Sequence, residues 1–219
     1  MPNRHDRRPH LLVTGTARPE PYTAKSSGGD RISRPPRDRL GHSEKLLSDF
    51  DAARAEIDDL AVTTDLIVGF PGETEDDFVQ TLELAAAADY DSAYSFIYSP
   101  RPGTEASELT DRYVDPDVIA ERFDRLKAVL ERSALHRHQA RIGRLEEIVV
   151  EGPSRKDPTI TTGRTRQNKL VHFAAPEPLR VGTYATARIT GAAPHFLRGE
   201  LVDVLAPARH RTRIPVAAG

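Results

Sequence analysis

Leu46, Leu47, Phe50, Ala53 and Ile57 recur at helical spacing, and Ser43 stands where an N-cap belongs, so the pattern predicts a helix beginning near Ser43. Residues 61–70 (AVTTDLIVGF) form an apolar, β-branched run with the length of a buried strand. Gly69-Phe70-Pro71-Gly72 then requires a sharp turn. Thr74 reads as the N-cap of a second helix, with Asp77 three residues on. Carboxylates crowd the first turn of that helix, where its dipole favours them. Phe78, Leu82 and Ala85 share one face, and the helix is expected to end near Asp89. Residues 92–99 (SAYSFIYS) read as a second strand, stopped by Pro100 and Pro102. Strand, turn, helix and strand in this order make a βαβ unit, hence a parallel sheet.

Helical spacing returns over 116–142, where Ile119, Phe123, Leu126, Leu130 and Ala134 form a stripe among charged residues. After Gly143 the period changes to that of strands. Stretches 146–151, 159–166, 169–173, 183–190 and 198–205 are short, β-rich and separated by Gly or Pro. Five such strands in so short a span predict a small, closed or nearly closed β-barrel.

Residues 1–42 follow neither period. They contain Pro2, Pro9, Pro19, Pro21, Pro35 and Pro36 among arginines and glycines, with one strand-like run at 10–14. Too little apolar surface is available to offset ordering entropy, so a disordered basic N-terminus is expected. The expected organisation is therefore 1–42 disordered or eroded, 43–142 α/β, 143–206 β-barrel and 207–219 a frayed tail. No apolar run approaches the length of a membrane span, and no apolar stretch follows the basic N-terminus as in a secretory signal. A cytoplasmic protein without membrane contact is the expectation.

Charge sharpens this division. The net charge of −2 resolves into +5 for residues 1–45, −13 for 46–139 and +6 for 140–219. An acidic middle between basic ends points to separate modules, one of them suited to a polyanion. A solvated charge pattern without a partner fits equally well. Cysteine sets the firmest boundary. The sequence has none, which excludes a disulfide, a thiolate nucleophile, a zinc ribbon and an iron–sulfur cluster on the chain's own thiolates.

Three places can carry chemistry. The Gly69-Phe70-Pro71-Gly72-Glu73 turn joins a strand to a helix N-terminus, where backbone N–H groups can hold an anion or a polar cofactor group. It also reads as plain turn chemistry. The loop Tyr98-Ser99-Pro100-Arg101-Pro102-Gly103-Thr104 lies at the carboxyl end of the next strand, the side where ligands gather in parallel sheets. Its alternative is a proline-stiffened surface loop. The third place is basic. Arg164, Arg166, Asn168, Lys169 and His172 cluster around one hairpin, and His195, Phe196 and Arg198 form a second group. Cations beside an aromatic ring or imidazole suit RNA, where phosphates are neutralised and bases stack. A solvated β surface is the competing reading. His136 and His138 do not share a helix face and read as surface residues, not metal ligands.

These motifs, in this order, resemble the radical-SAM tRNA methylthiotransferases of the MiaB type. Thr64-Asp65-Leu66-Ile67-Val68-Gly69-Phe70-Pro71-Gly72-Glu73-Thr74-Glu75-Asp76-Asp77-Phe78 is similar to the family's TD-x-IVGFPGET-x-x-D/E-F segment. Phe96-Ile97-Tyr98-Ser99-Pro100-Arg101-Pro102-Gly103-Thr104-Glu105-Ala106 matches its F-x-YS-x-RPGT-x-A loop. Thr162-Gly163-Arg164-Thr165-Arg166-Gln167-Asn168-Lys169-Leu170-Val171-His172-Phe173 resembles the TGR-x-R-x-N-x-LVHF hairpin of its TRAM domain, and Ala193-Pro194-His195-Phe196-Leu197 a later TRAM segment. Ser27-Gly28-Gly29-Asp30-Arg31-Ile32 faintly resembles the family's QSGSD-R-V segment.

The resemblance implies an α/β partial radical-SAM (β/α) barrel followed by a small all-β, OB-like TRAM barrel that binds tRNA. Family members place a thiomethyl group on C2 of an isopentenyl-type adenosine beside the anticodon, using S-adenosylmethionine and two 4Fe-4S clusters. Without cysteine this chain cannot support the clusters. Gly69, Glu73 and Ser99 are then expected to line half of an S-adenosylmethionine site of poor affinity. Three readings stay open. One is a self-sufficient transferase, which the missing thiolates oppose. Another is a truncated, non-catalytic RNA-binding chain using Arg164, Arg166, Asn168, Lys169, His172, His195, Phe196 and Arg198. The last is a structural or decayed fragment that needs a protein partner over an open barrel edge.

Overall fold

The computed structural model describes residues 13–17 and 37–208. The chain divides into two compact units, 1–137 and 138–219. The first contains strand β1 (Val13–Ala17), helix α1 (Arg37–Glu56), strand β2 (Val62–Val68), helix α2 (Glu75–Ala88) and strand β3 (Ser92–Ile97). A short α3 (Glu105–Glu108), a 3-10 turn (Thr110–Arg112) and α4 (Pro116–Gln139) follow, with the division falling in the last turn of α4.

The three strands are parallel in the order β1-β2-β3. Two expectations for the N-terminal region need correction. Val13–Ala17 is a strand inside the segment read as disordered, in register with Val62 to Leu66 of β2. Its apolar run is too short to fold alone, but a ready β2 edge supplies backbone partners that sequence composition does not display. Helix α1 starts at Arg37, so Ser43 lies inside it and is not its N-cap. The remaining residues of 1–42, and 209–219 of the expected tail, lie outside the described residues.

Alternation along β2 buries Val62, Thr64, Leu66 and Val68 and turns Thr63, Asp65 and Ile67 the other way. Phe50, Phe78, Ala85, Ala88, Tyr90, Leu126 and Leu130 complete the core on the buried side, with the Phe50 and Tyr90 rings edge-to-face at 5.9 Å. The N-terminus of α2 is closed by a reciprocal cap. Thr74 Oγ1 accepts from the Asp77 N–H at 3.2 Å, and Asp77 Oδ2 accepts from the Thr74 N–H at 3.1 Å. At its other end Asp89 adopts a left-handed backbone (φ 46°), and the carbonyls of Ala88 and Asp89 take hydrogen bonds from Arg54 and Arg137. These cations sit where the helix dipole is negative.

On the opposite sheet face the side chains of β3 are exposed. Ser92, Tyr94 and Phe96 lie in register with Thr63, Asp65 and Ile67, and Tyr94 is 72% exposed.

The second unit contains β4 (Leu145–Pro153), β5 (Ile160–Thr165), β6 (Leu170–Ala174), β7 (Tyr184–Ala193) and β8 (Phe196–Ala206). They close into a barrel in the order β4-β5-β6-β8-β7, with β6 and β8 parallel. Ile148, Val150, Val171, Phe173, Ala185, Ala187, Ile189 and Leu197 fill it. Gly163 lets β5 approach β4, because a Cβ there would stand 2.9 Å from the Val149 carbonyl oxygen. His138 is not a surface residue, as its sequence position had implied. It is buried, with Nδ1 2.6 Å from the Ala193 carbonyl oxygen. His136 is exposed and pairs with Asp89 at 3.0 Å. Among the described residues no helix is long and apolar enough to cross a membrane.

Candidate nucleic-acid interface

The outward positions of β5, β6 and β8 lie side by side. Thr162 faces His172, Arg164 faces Leu170, and His172 faces Arg198 across the parallel β6–β8 pair. On β7, Gly191 lies beside Arg198 and Ala193 beside Phe196. The His172 and Phe196 rings are 4.9 Å apart, and the Arg198 guanidinium lies 5.9 Å from the Phe196 ring centre. Burial pushes the His172 imidazole below its ordinary pKa, so its neutral form prevails at neutral pH.

The cations of this surface differ in what holds them. Arg164 contacts Glu151 at 3.3 Å and donates to the Asn168 carbonyl at 3.0 Å. Arg166 contacts Glu147 at 2.9 Å. Both carboxylates project from β4. Among the described residues no carboxylate pairs with Arg198. His195 is exposed in the turn between β7 and β8. Asn168 is exposed and takes a left-handed backbone (φ 59°) in the hairpin, where its N–H donates to the Thr165 carbonyl.

Lys169 corrects the sequence reading. It is 4% exposed and presents no ammonium to a ligand on the surface. The signal was available: Lys169 shares strand parity with Val171 and Phe173, which point into the barrel.

The turn after β2 is arranged inwards. Gly69 adopts φ +77°, and its N–H donates to Glu73 Oε2 at 3.2 Å. The Gly72 N–H donates to the Arg112 carbonyl at 2.8 Å, and the Glu73 N–H to that of Phe70 at 2.9 Å. The Glu73 carboxylate meets Arg122 at 2.8 Å, and both side chains are 5% exposed. Burial raises the Glu73 pKa, against the opposing pull of the Gly69 N–H and Arg122. Sequence reasoning missed Arg122 because it sits in the charged part of the α4 pattern. Ser99 is exposed beyond β3. Tyr98 packs edge-to-face between Phe70 and Tyr113, at 5.2 and 6.1 Å.

Residues 139–202 match the model of the TRAM domain. The chain is 45% identical over 195 residues to a tRNA-2-methylthio-N(6)-dimethylallyladenosine synthase of Acidothermus cellulolyticus, covering 88% of this chain and 39% of that protein. A synthase of the same name from Kineococcus radiotolerans is 42% identical over 93% of this chain and 40% of its own length. One from Burkholderia cenocepacia is 48% identical over 69% of this chain and 34% of its own length. Over most of its length the chain is homologous to tRNA methylthiotransferases of the MiaB type. It spans about two fifths of the length of the curated relatives it matches.

The likeness to methylthiotransferases implies S-adenosylmethionine and iron–sulfur clusters, and the residues present can be tested for both. They do not fit a cluster, since the 219 residues include no cysteine. Among the described residues no group of three His, Asp or Glu side chains is placed to hold a metal ion. Nor do Gly69 and Glu73 fit S-adenosylmethionine as they stand. The Gly69, Gly72 and Glu73 N–H groups and the Glu73 carboxylate are all engaged within the protein. The turn that looked like a ligand cradle is a clamp between the β2 carboxyl end and α4.

Proposed function

We propose that this methylthiotransferase relative works as a tRNA-binding chain, through the outer face of β5, β6 and β8, and not as a complete transferase. The observation that carries this reading is the row of His172, Arg198, Phe196 and Arg164 on the barrel matched as TRAM. In it the cations neutralise phosphates while the rings meet bases. Arg166, Asn168 and His195 flank the row, and Lys169 stays inside. The α/β unit is then part of a radical-SAM barrel. The missing cysteines support a binding role over catalysis by this polypeptide. Such a chain acts where tRNA is found, in the cytoplasm.

Filter binding of a tRNA transcript to the full chain, across a salt series, tests this. Affinity is expected to fall steeply with salt, by about one unit of log–log slope per phosphate engaged. Glu151→Gln and Glu147→Gln each release an arginine from a carboxylate that competes with phosphate. Each is expected to tighten binding up to about fivefold at low salt, since exposed pairs of this kind are worth at most about 1 kcal/mol. Salt-independent affinity, or affinity no better than that of a neutral control protein, overturns the reading.

A second reading, a protein partner over the open sheet, is favoured by the bare apolar face of Tyr94, Phe96 and Ile67. Hydrogen exchange over 60–135 separates the two. A partner-dependent unit exchanges quickly in the isolated monomer, and strong protection there removes the need for a partner.

A further inference from the structure

Phe196 begins β8, and two planar groups of different character lie beside its ring. His172 has its ring centre 4.9 Å away, with planes inclined at 49°. The Arg198 guanidinium lies 5.9 Å from the ring centre. The neighbouring strand is flat here. At Gly191 there is no side chain, and an added Cβ would only just touch the Arg198 stem at 3.6 Å. Ala193, opposite Phe196, is equally small. The three side chains therefore stand beside a low floor of Gly191 and Ala193.

Their unused bonding capacity is specific. Arg198 is the exposed arginine of the row that no carboxylate holds among the described residues. His172 has no hydrogen-bond partner at either ring nitrogen among the described residues, so its neutral ring offers one donor and one acceptor. A solvated β surface does not require a guanidinium, a phenyl ring and an imidazole gathered on adjacent strands. Arg164 and Arg166, by contrast, are held at the rim by Glu151 and Glu147.

We propose that His172, Phe196 and Arg198 form a subsite for one unpaired nucleotide of RNA: its base stacks on the Phe196–Arg198 pair, its edge meets His172, and its phosphate meets Arg198. The proposal rests on the tRNA reading and deepens it, assigning this surface to looped or single-stranded RNA and not to helix. Stacking needs an exposed base face, which a duplex withholds. Because stacking is tolerant of base identity, the subsite distinguishes unpaired from paired RNA more strongly than it distinguishes one base from another.

The test uses the full chain, a tRNA transcript, a short single-stranded RNA carrying 2-aminopurine, and a blunt RNA duplex. The wild-type chain is expected to bind the single strand more tightly than the duplex and to change the 2-aminopurine fluorescence. Phe196→Leu is expected to weaken single-strand binding about tenfold with the salt slope unchanged, and to leave duplex binding alone. Phe196→Tyr keeps the ring and should restore affinity, which separates lost stacking from a damaged barrel. Arg198→Gln is expected to reduce the salt slope by about one. Equal losses on single strand and duplex overturn the subsite, as does an unaltered single-strand affinity in Phe196→Leu. If the transcript is bound with steep salt dependence in either case, the tRNA reading survives without the subsite. If the transcript is not bound, both fall.

Discussion

Arg122→Leu is expected to destabilise the α/β unit by about 3–5 kcal/mol, because it leaves the Glu73 carboxylate buried without its cation. The pair is 2.8 Å apart, and both side chains are 5% exposed. Arg122 also bonds the Glu73 carbonyl at 3.2 Å and Glu75 at 3.1 Å, so one substitution removes bonds to both the turn after β2 and the first turn of α2, where Arg125 still holds Glu75 at 2.7 Å. The loss should depend on pH with a definite sign. Burial holds the folded pKa of Glu73 above its unfolded value. The folded state therefore binds the proton more tightly, and this contribution is full below the unfolded value and fades as pH rises through the folded one. Removing Arg122 takes away a pull that lowers the folded pKa, so the deficit of the variant widens from mildly acidic to neutral pH. Urea denaturation with hydrogen exchange over 62–88 measures it, and an equal deficit at both pH values contradicts the assignment. Replacing both partners by leucine should cost less than the single change, since no buried charge is then left alone.

Phe173→Ala is expected to unfold the barrel. The ring is fully buried at the centre of the second core, and truncations of this kind cost about 3–5 kcal/mol. A barrel of this size has about the same margin to lose. The expected result is fast amide exchange from 145 to 206 and loss of tRNA binding at every salt concentration. Phe196→Leu, at the surface, is expected to leave those amides protected. Protection retained in Phe173→Ala would show that the barrel has reserves beyond its visible core.

Much of this architecture is local and therefore readable in one dimension. The Thr74–Asp77 cap involves residues three apart, and both bonds form as their types predict. The five β-rich stretches become the five strands of the barrel because alternation with period two is itself the signal of a half-buried strand. Strand β1 showed only as the short run at 10–14, read within a disordered segment, because its stability comes from an edge supplied by residues some fifty positions away. Lys169 was legible but overlooked: its parity with Val171 and Phe173 outweighed its charge.

The sequence by itself determined the order of the longer elements from α1 onward, the acidic and basic division, the TRAM hairpin and the absence of any thiolate. Each of these follows from residue type and short-range spacing. Only the tertiary structure decided which charged groups are available. Arg164 and Arg166 are tied to β4 carboxylates and Arg198 is not, although all three look alike along the chain. Glu73 turns inward to α4 across 49 positions and so leaves the turn without the ligand-facing carboxylate that its motif implies. The physical reason is the same in both cases. A charge is engaged or free according to what the fold brings within a few ångströms, and strand register and helix packing set that distance independently of sequence spacing.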